Sequence, residues 1–187
     1  MPLSIIFIIM SASTLKKHLQ SLTKEQIVEV MSDVYDNSKA VQEYFDFYLQ
    51  PNEKEKIKKY KAIIEKEFGV KNPMGAGLKY SVAKKAISDF ASLKPSPDAL
   101  ADLMLSLPEA ACRFTREFGD MDEPFYNGAA NNFKRALDFM AKHGLLENFK
   151  LRCTDCVKFA SSCGYGFADE MAELFLIYYG ESAQYGN

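Results

Sequence analysis

The chain has 187 residues, 48% hydrophobic and 26% charged, which suffices for one substantial core and excludes a disordered polymer. Lysine and arginine (23) nearly balance aspartate and glutamate (25), and a net charge of −2 speaks against a strongly charged partner. No run approaches the roughly 18 apolar residues of a membrane-crossing helix, and four cysteines do not make the dense framework of a small secreted domain. We therefore expect a cytoplasmic protein with reduced thiols, no membrane partner and no cofactor.

The first nine residues, with Leu3, Ile5, Ile6, Phe7, Ile8 and Ile9, are intensely apolar but have no Lys or Arg ahead of them, which makes a poor signal peptide. A buried strand, a weak export signal and leader sequence upstream of a start at Met10 all compete. We expect the last, because Met10-Ser11-Ala12-Ser13-Thr14 reads as a natural soluble N-terminus. Residues 10–187 are then expected to form one helical domain, with a subdomain break near 69–78.

Ser13 can cap a first helix whose Leu15, Leu19 and Leu22 share a face. Thr23 and Gln26 have the spacing of a capping box, followed by Ile27, Val30, Met31 and Val34 at helical intervals. The pattern restarts at Asn37-Ser38, and Val41, Tyr44, Phe45, Tyr48 and Leu49 form a wide aromatic face. Asn52 is an N-cap for a long helix with Glu53 and Glu55 at its positive end, Ile57, Tyr60, Ile64 and Phe68 inside, and Gly69 beyond its last turn.

Asn72-Pro73-Met74-Gly75-Ala76-Gly77 is the clearest break in the chain. A phosphate loop fails there on spacing and on the missing preceding strand, so we expect a plain connection. Residues 50–95 carry eleven Lys against five acids, and residues 96–187 carry eight basic against fourteen acidic side chains. The Lys-rich face around Lys54 to Lys66 would suit nucleic acid, but a solvated helix face explains it more simply, and nucleic acid is not expected as a partner.

A helix over 80–93 precedes Ser96-Pro97, where an N-cap serine followed by proline at the first helical position marks a strong start. Leu100, Leu103, Met104 and Leu107 follow, and Pro108 is expected to kink or divide that stretch before Phe114 and Phe118. The loop-like tract from Gly119 to Asn127 then gathers acids and aromatics at a helix junction. Further helices end at His143-Gly144, run over about 145–162, and close at Tyr179-Gly180 after the interruption Gly164-Tyr165-Gly166. No segment alternates with a two-residue period between hairpin turns. The expected fold is all-α: eight or nine helices in antiparallel pairs, as a globular bundle or a short solenoid-like array.

Candidate chemistry concentrates on 113–127. Asp120, Asp122 and Glu123 could offer oxygen ligands to a divalent cation, though no complete calcium loop is present. The competing explanation has Asp122 cap the next helix with Glu123 and Pro124 in its first turn. Arg113 and Arg116, one turn apart, could hold a carboxylate or phosphate beside Tyr126, or could simply pair with nearby acids. Cys153-Thr154-Asp155-Cys156 and Cys163 fall short of a four-ligand zinc site, and no βαβ context supports a redox motif. Buried, hydrophobe-like thiols are expected instead. No nucleophile signature surrounds His18 or His143, the two histidines. The leading expectation is a non-enzymatic protein-interaction module that binds a protein partner or itself. The alternative is a metal- or small-anion-binding protein or enzyme built on Arg113, Arg116, Asp120, Asp122, Glu123 and Tyr126.

Four stretches, Thr14-Leu15-Lys16-Lys17-His18-Leu19, Asp102-Leu103-Met104-Leu105, the tract from Gly119 to Asn127, and Gly164-Tyr165-Gly166-Phe167-Ala168-Asp169-Glu170, resemble an uncharacterised bacterial family known as a domain of unknown function. The resemblance spans almost the whole chain from Met10. It implies a small, soluble, helical bacterial protein and transfers no catalytic residue. The apolar extension before Met10 and the cysteine cluster depart from what the family implies.

Overall fold

The structure, a computed structural model, describes residues 11–69, 78 and 80–180. The apolar first nine residues and the Pro-Gly break at 72–77 lie outside the described residues. Among those described there are nine α-helices and no strand, and no helix is long and apolar enough to cross a membrane. The chain divides into two compact units, Met1–Pro51 and Asn52–Asn187.

The first unit holds α1 (Ala12–Ser21), α2 (Lys24–Asn37) and α3 (Lys39–Leu49). The first cap falls two residues earlier than the sequence predicts. Ser11, in extended backbone, accepts the Thr14 N–H at 3.2 Å, while Ser13 is already helical. Thr23 closes a complete capping box: its hydroxyl accepts from Gln26 N–H at 3.2 Å, and Gln26 Oε1 accepts from Thr23 N–H at 2.9 Å. Ser38 ends α2 and caps α3 through Val41 N–H. The two helices pack on each other, and Tyr35 donates its hydroxyl across them to Asp46 Oδ1 at 3.0 Å. This unit covers its apolar stripes thinly, since no residue of α1 or α2 is buried.

The second unit holds α4 (Glu53–Phe68), α5 (Tyr80–Ser92), α6 (Pro97–Phe118), α7 (Glu123–His143), α8 (Leu146–Ala160) and α9 (Phe167–Tyr179). Its axis is α6, which packs against α4, α5, α7 and α8. The hairpins α4–α5, α6–α7 and α8–α9 pack in succession, α4 on α6, α6 on α8 and α7 on α9, and the central α6 joins them into one helical bundle. The sequence suggests a single apolar face for α6, but burial runs around the helix, as a central position demands. Ala101, Leu103, Leu105 and Leu107 are fully buried, whereas Leu100 and Met104 are only half-buried. Pro108 does not divide α6; it sits buried inside one 22-residue helix. Packing on several sides outweighs the lost backbone hydrogen bond of one proline, a penalty of about 3 kcal/mol.

Side-chain punctuation follows the sequence closely. Asn52 Oδ1 accepts from Glu55 N–H at 3.2 Å, and Ser96 Oγ accepts from Ala99 N–H at 3.3 Å ahead of Pro97. Glu53 reaches from α4 to bind Ser96 twice, at its N–H (2.5 Å) and its hydroxyl (2.8 Å). Gly144 ends α7 in the left-handed conformation at φ 68°.

A half-buried ion network ties α4 and α8 to α6. Asp102 Oδ1 accepts from Lys61 Nζ (2.7 Å) and Arg152 Nη1 (2.5 Å), and Arg152 grips Glu109 with Nε and Nη2 at 2.7 and 2.8 Å. Lys61 is thus drawn inward, off the solvated lysine face expected of α4. Burial raises the Asp102 pKa, but the hydrogen bonds from Lys61 and Arg152 outweigh it, and the net shift is below the ordinary carboxylate value.

Candidate functional site

The junction between α6 and α7 is built by one capping event and one buried tyrosine. Gly119 turns the chain at φ 92°, and Asp122 Oδ1 accepts the Phe125 N–H at 3.0 Å to start α7, with Pro124 in its first turn. That turn swings Phe125 and Tyr126 inward. Phe125 joins Phe68, Tyr80 and Phe114 in an aromatic cluster with ring centroids 5.7–6.3 Å from its own. Tyr126 stacks on Phe167 at 4.7 Å.

Tyr126 is fully buried as a ring, and its hydroxyl is committed. It donates to Asp120 Oδ1 and accepts the Met121 N–H at 3.2 Å. Asp120 also accepts the Gly164 N–H at 3.4 Å, pinning the α6–α7 loop to the α8–α9 turn. The hydrogen bond from Tyr126 holds the Asp120 carboxyl below its ordinary pKa, with the Gly164 and Met121 amides adding to it. Burial, then the adjoining carboxylate, raise the Tyr126 phenol well above its usual value, so it stays protonated.

Beside this junction lies a cavity of about 630 Å³, lined by Thr115, Arg116, Gly119, Asp120 and Tyr126 from the α6–α7 side and by Asp155, Lys158, Phe159, Ser162 and Cys163 from α8 and its end. Two cations face it. Arg116, in the last turn of α6, lies over the Phe159 ring at 5.4 Å. Lys158 occupies the last turn of α8. Among the described residues neither Arg116 nor Lys158 makes an ion pair. Both charges complement a helix C-terminus, which favours them there without consuming their hydrogen-bonding capacity.

Of the six residues singled out in sequence, the structure brings Arg116, Asp120 and Tyr126 to this cavity and sends the other three elsewhere. Arg113 is turned toward α4, where it pairs with Glu65. Asp122 is occupied as the α7 cap, and Glu123 is exposed in that helix's first turn. The three carboxylates of the tract therefore do not converge, and the described residues contain no group of three or more His, Cys, Asp or Glu side chains arranged to hold a metal ion. Arg113 and Arg116 lie only about 60° apart around α6, but different neighbours take them: Glu65 of α4 the first and the Phe159 ring of α8 the second.

Lys158, Phe159, Ser162 and Cys163 escaped sequence reasoning because they lie in α8 and the turn just after it, far along the chain from α6. A usable signal did exist. Asp155, Phe159 and Ser162 recur at helical spacing along the sequence, beginning inside the Cys153–Cys156 pair. The cysteines themselves separate. Cys153 and Cys156 are fully buried, as is Cys112, whose thiol points at the Cys156 carbonyl at 3.7 Å. Burial pushes the Cys153 thiol up to about 11. Only Cys163 is half-exposed, its Sγ 3.6 Å from Thr115 Oγ1.

A second feature belongs to the first unit. Ile27, Val28, Met31, Tyr35, Phe45 and Leu49 line an apolar groove of about 530 Å³ between α2 and α3. Val28 is 57% exposed and Leu49 70% exposed, far beyond what two packed helices need to leave open. The α2–α3 hairpin is acidic overall, with Glu25, Glu29, Asp33, Asp36, Glu43 and Asp46 against Lys24 and Lys39, and Asp36 lines the groove itself.

A family model described as a family of unknown function (DUF6155) matches residues 10–165. No curated protein and no solved structure matches the chain.

Proposed function

We propose that this chain, which belongs to the DUF6155 family of unknown function, works as a protein-interaction module whose α2–α3 groove receives an amphipathic helix with basic flanks from a protein partner. The observation that carries this is the incomplete covering of the first unit. Two amphipathic helices, α1 and α2, have no buried residue, while Leu15, Val28, Val30, Val34, Tyr48 and Leu49 stand exposed on the same unit. Short helices gain little stability from propensity alone and depend on burying an apolar face. A helix laid in the groove supplies that burial through anchors at i, i+3, i+4 and i+7. The acid excess of the hairpin selects lysine- or arginine-rich flanks and speeds encounter more than it strengthens binding.

The chain has no tryptophan, so a Trp-bearing, lysine-flanked amphipathic peptide reports its own binding without background. With the full-length protein we expect its emission to shift to the blue, and Leu49→Glu or Val28→Glu to weaken binding about tenfold or more by placing a charge among the anchors. Sedimentation equilibrium accompanies the titration. If the protein dimerises through a contact that Leu49→Glu abolishes, the occupant is a second copy and the reading of a basic partner helix fails. It fails equally if the peptide shows no shift, or one indifferent to both substitutions.

A further inference from the structure

We infer that the cavity between the end of α6, the start of α7 and the end of α8 is a binding site for a small organic anion bearing a carboxylate or phosphate. The claim is independent of the groove on the first unit, because every residue lining the cavity belongs to the second. A volume of about 630 Å³ matches the general range of small-molecule sites, about 300–1,000 Å³. What distinguishes it from an incidental crevice is the separation of its charges into committed and uncommitted ones.

Of the two lining carboxylates, Asp120 and Asp155, Asp120 is spent. It accepts from the Tyr126 hydroxyl and the Gly164 N–H, and it serves to close the loop between helices. On the positive side nothing is spent. Arg116 and Lys158 have no carboxylate partner among the described residues, although Asp155 sits on the same wall as Lys158. Arg113 one turn earlier does find an acid, Glu65, so the lack of a partner is particular to Arg116. Arg116 Cζ lies 5.4 Å from the Phe159 ring centroid, on the cavity wall, and its planar guanidinium fork is suited to the two oxygens of a carboxylate or phosphate.

The remaining wall fits the same ligand. Phe159, half-buried, offers apolar surface to a carbon skeleton. Ser162 offers a hydroxyl that has no hydrogen-bond partner among the described residues. Asp155, also uncommitted, can accept from a hydroxyl or ammonium on the ligand. Thr115 contributes little, since its hydroxyl already donates to the Cys112 carbonyl at 2.9 Å.

Cys163 provides a built-in reporter. It lines the cavity, and it alone of the four cysteines is not buried. Iodoacetate and iodoacetamide alkylate a thiolate by the same displacement of iodide and differ in charge. In the native full-length protein at low salt, we expect the iodoacetate-to-iodoacetamide rate ratio at Cys163 to exceed that of free N-acetylcysteine by about fivefold, because the two cations concentrate the anionic reagent. Arg116→Gln and Lys158→Gln, both at exposed positions, should each lower the ratio toward the free-thiol value. Millimolar inorganic phosphate or succinate should slow both reagents in the native protein and lose that effect in Arg116→Gln. Protection by phosphate alone assigns the phosphate class, and protection by succinate alone the carboxylate class. A native ratio equal to that of the free thiol, a ratio unmoved by both substitutions, or protection by neither anion overturns the site.

Discussion

Arg152 and Glu109 meet fork to fork, Nε to Oε1 at 2.7 Å and Nη2 to Oε2 at 2.8 Å, and so rivet α8 to the central helix. The same guanidinium reaches Asp102, which also holds Lys61 from α4. Three helices are thus joined by four charges that sum to zero, each with its side chain no more than a third exposed.

Arg152→Ala should destabilise the protein by about 2 kcal/mol. That is below the 3–5 kcal/mol typical of a fully buried pair, because solvent still screens this one and Lys61 remains on Asp102. Arg152→Lys should recover less than half, since an ammonium cannot reproduce the paired fork. Urea unfolding followed by far-ultraviolet circular dichroism measures both, and equal stability of Arg152→Ala and the native protein would remove the network from any role in holding the bundle.

The same network has a pH signature. The Asp102 pKa is lowered in the folded state, so its contribution is fully present above the unfolded carboxylate value of about 3.9 and fades as pH falls through the folded one. The stability gap between the native protein and Asp102→Asn should therefore be constant from pH 7 to about 5 and close only in more acidic solution. A gap that narrows between pH 6 and 8 would contradict this assignment.

Tyr126→Phe removes the donor that keeps the Asp120 carboxyl below its ordinary pKa. Carbon-detected NMR titration should show the Asp120 pKa rise toward the usual aspartate value, and the Gly164 amide resonance should shift, because both hydrogen bonds share Oδ1. The aromatic stack on Phe167 is retained in the phenylalanine variant, so the fold should survive. An unchanged Asp120 titration would mean that the tyrosine does not act on it.

Asp122→Ala should cost about 1 kcal/mol by removing the side-chain acceptor of the Phe125 N–H, and Asp122→Asn should restore most of it. Cation addition should leave the melting temperature of both variants and of the native protein in the same order, since this carboxylate serves the helix start.

Gly128 lies inside α7, where alanine would ordinarily gain about 1 kcal/mol. Here a Cβ would come within 2.5 Å of Tyr80 Cε2, and that ring is held by its hydroxyl on the Phe125 carbonyl at 3.0 Å and by its contacts with Phe68 and Phe125. Overpacking of this kind costs about 1–3 kcal/mol and wins. Gly128→Ala should lower the melting temperature, and adding Tyr80→Leu should turn the alanine from harmful to helpful.

Much of this was legible from the chain alone. Helix type follows from apolar residues at three- and four-residue spacing, and starts and stops follow from local chemistry: Thr23 with Gln26, Ser96 with Pro97, Asp122 with Pro124, and the left-handed Gly144 and Gly180. Those rules act within one turn of backbone, so neighbours in sequence suffice to read them. The six-residue site was legible only in part. Arg113 and Arg116 look equivalent along the chain, but Glu65 waits for one and the Phe159 ring for the other. Lys158 joins Arg116, and Lys61 joins Arg152, across separations that no local pattern encodes. Local hydrogen bonding determines where each helix begins and ends; which charges meet depends on how the helices pack, and packing is decided by the summed burial of side chains far apart in the sequence.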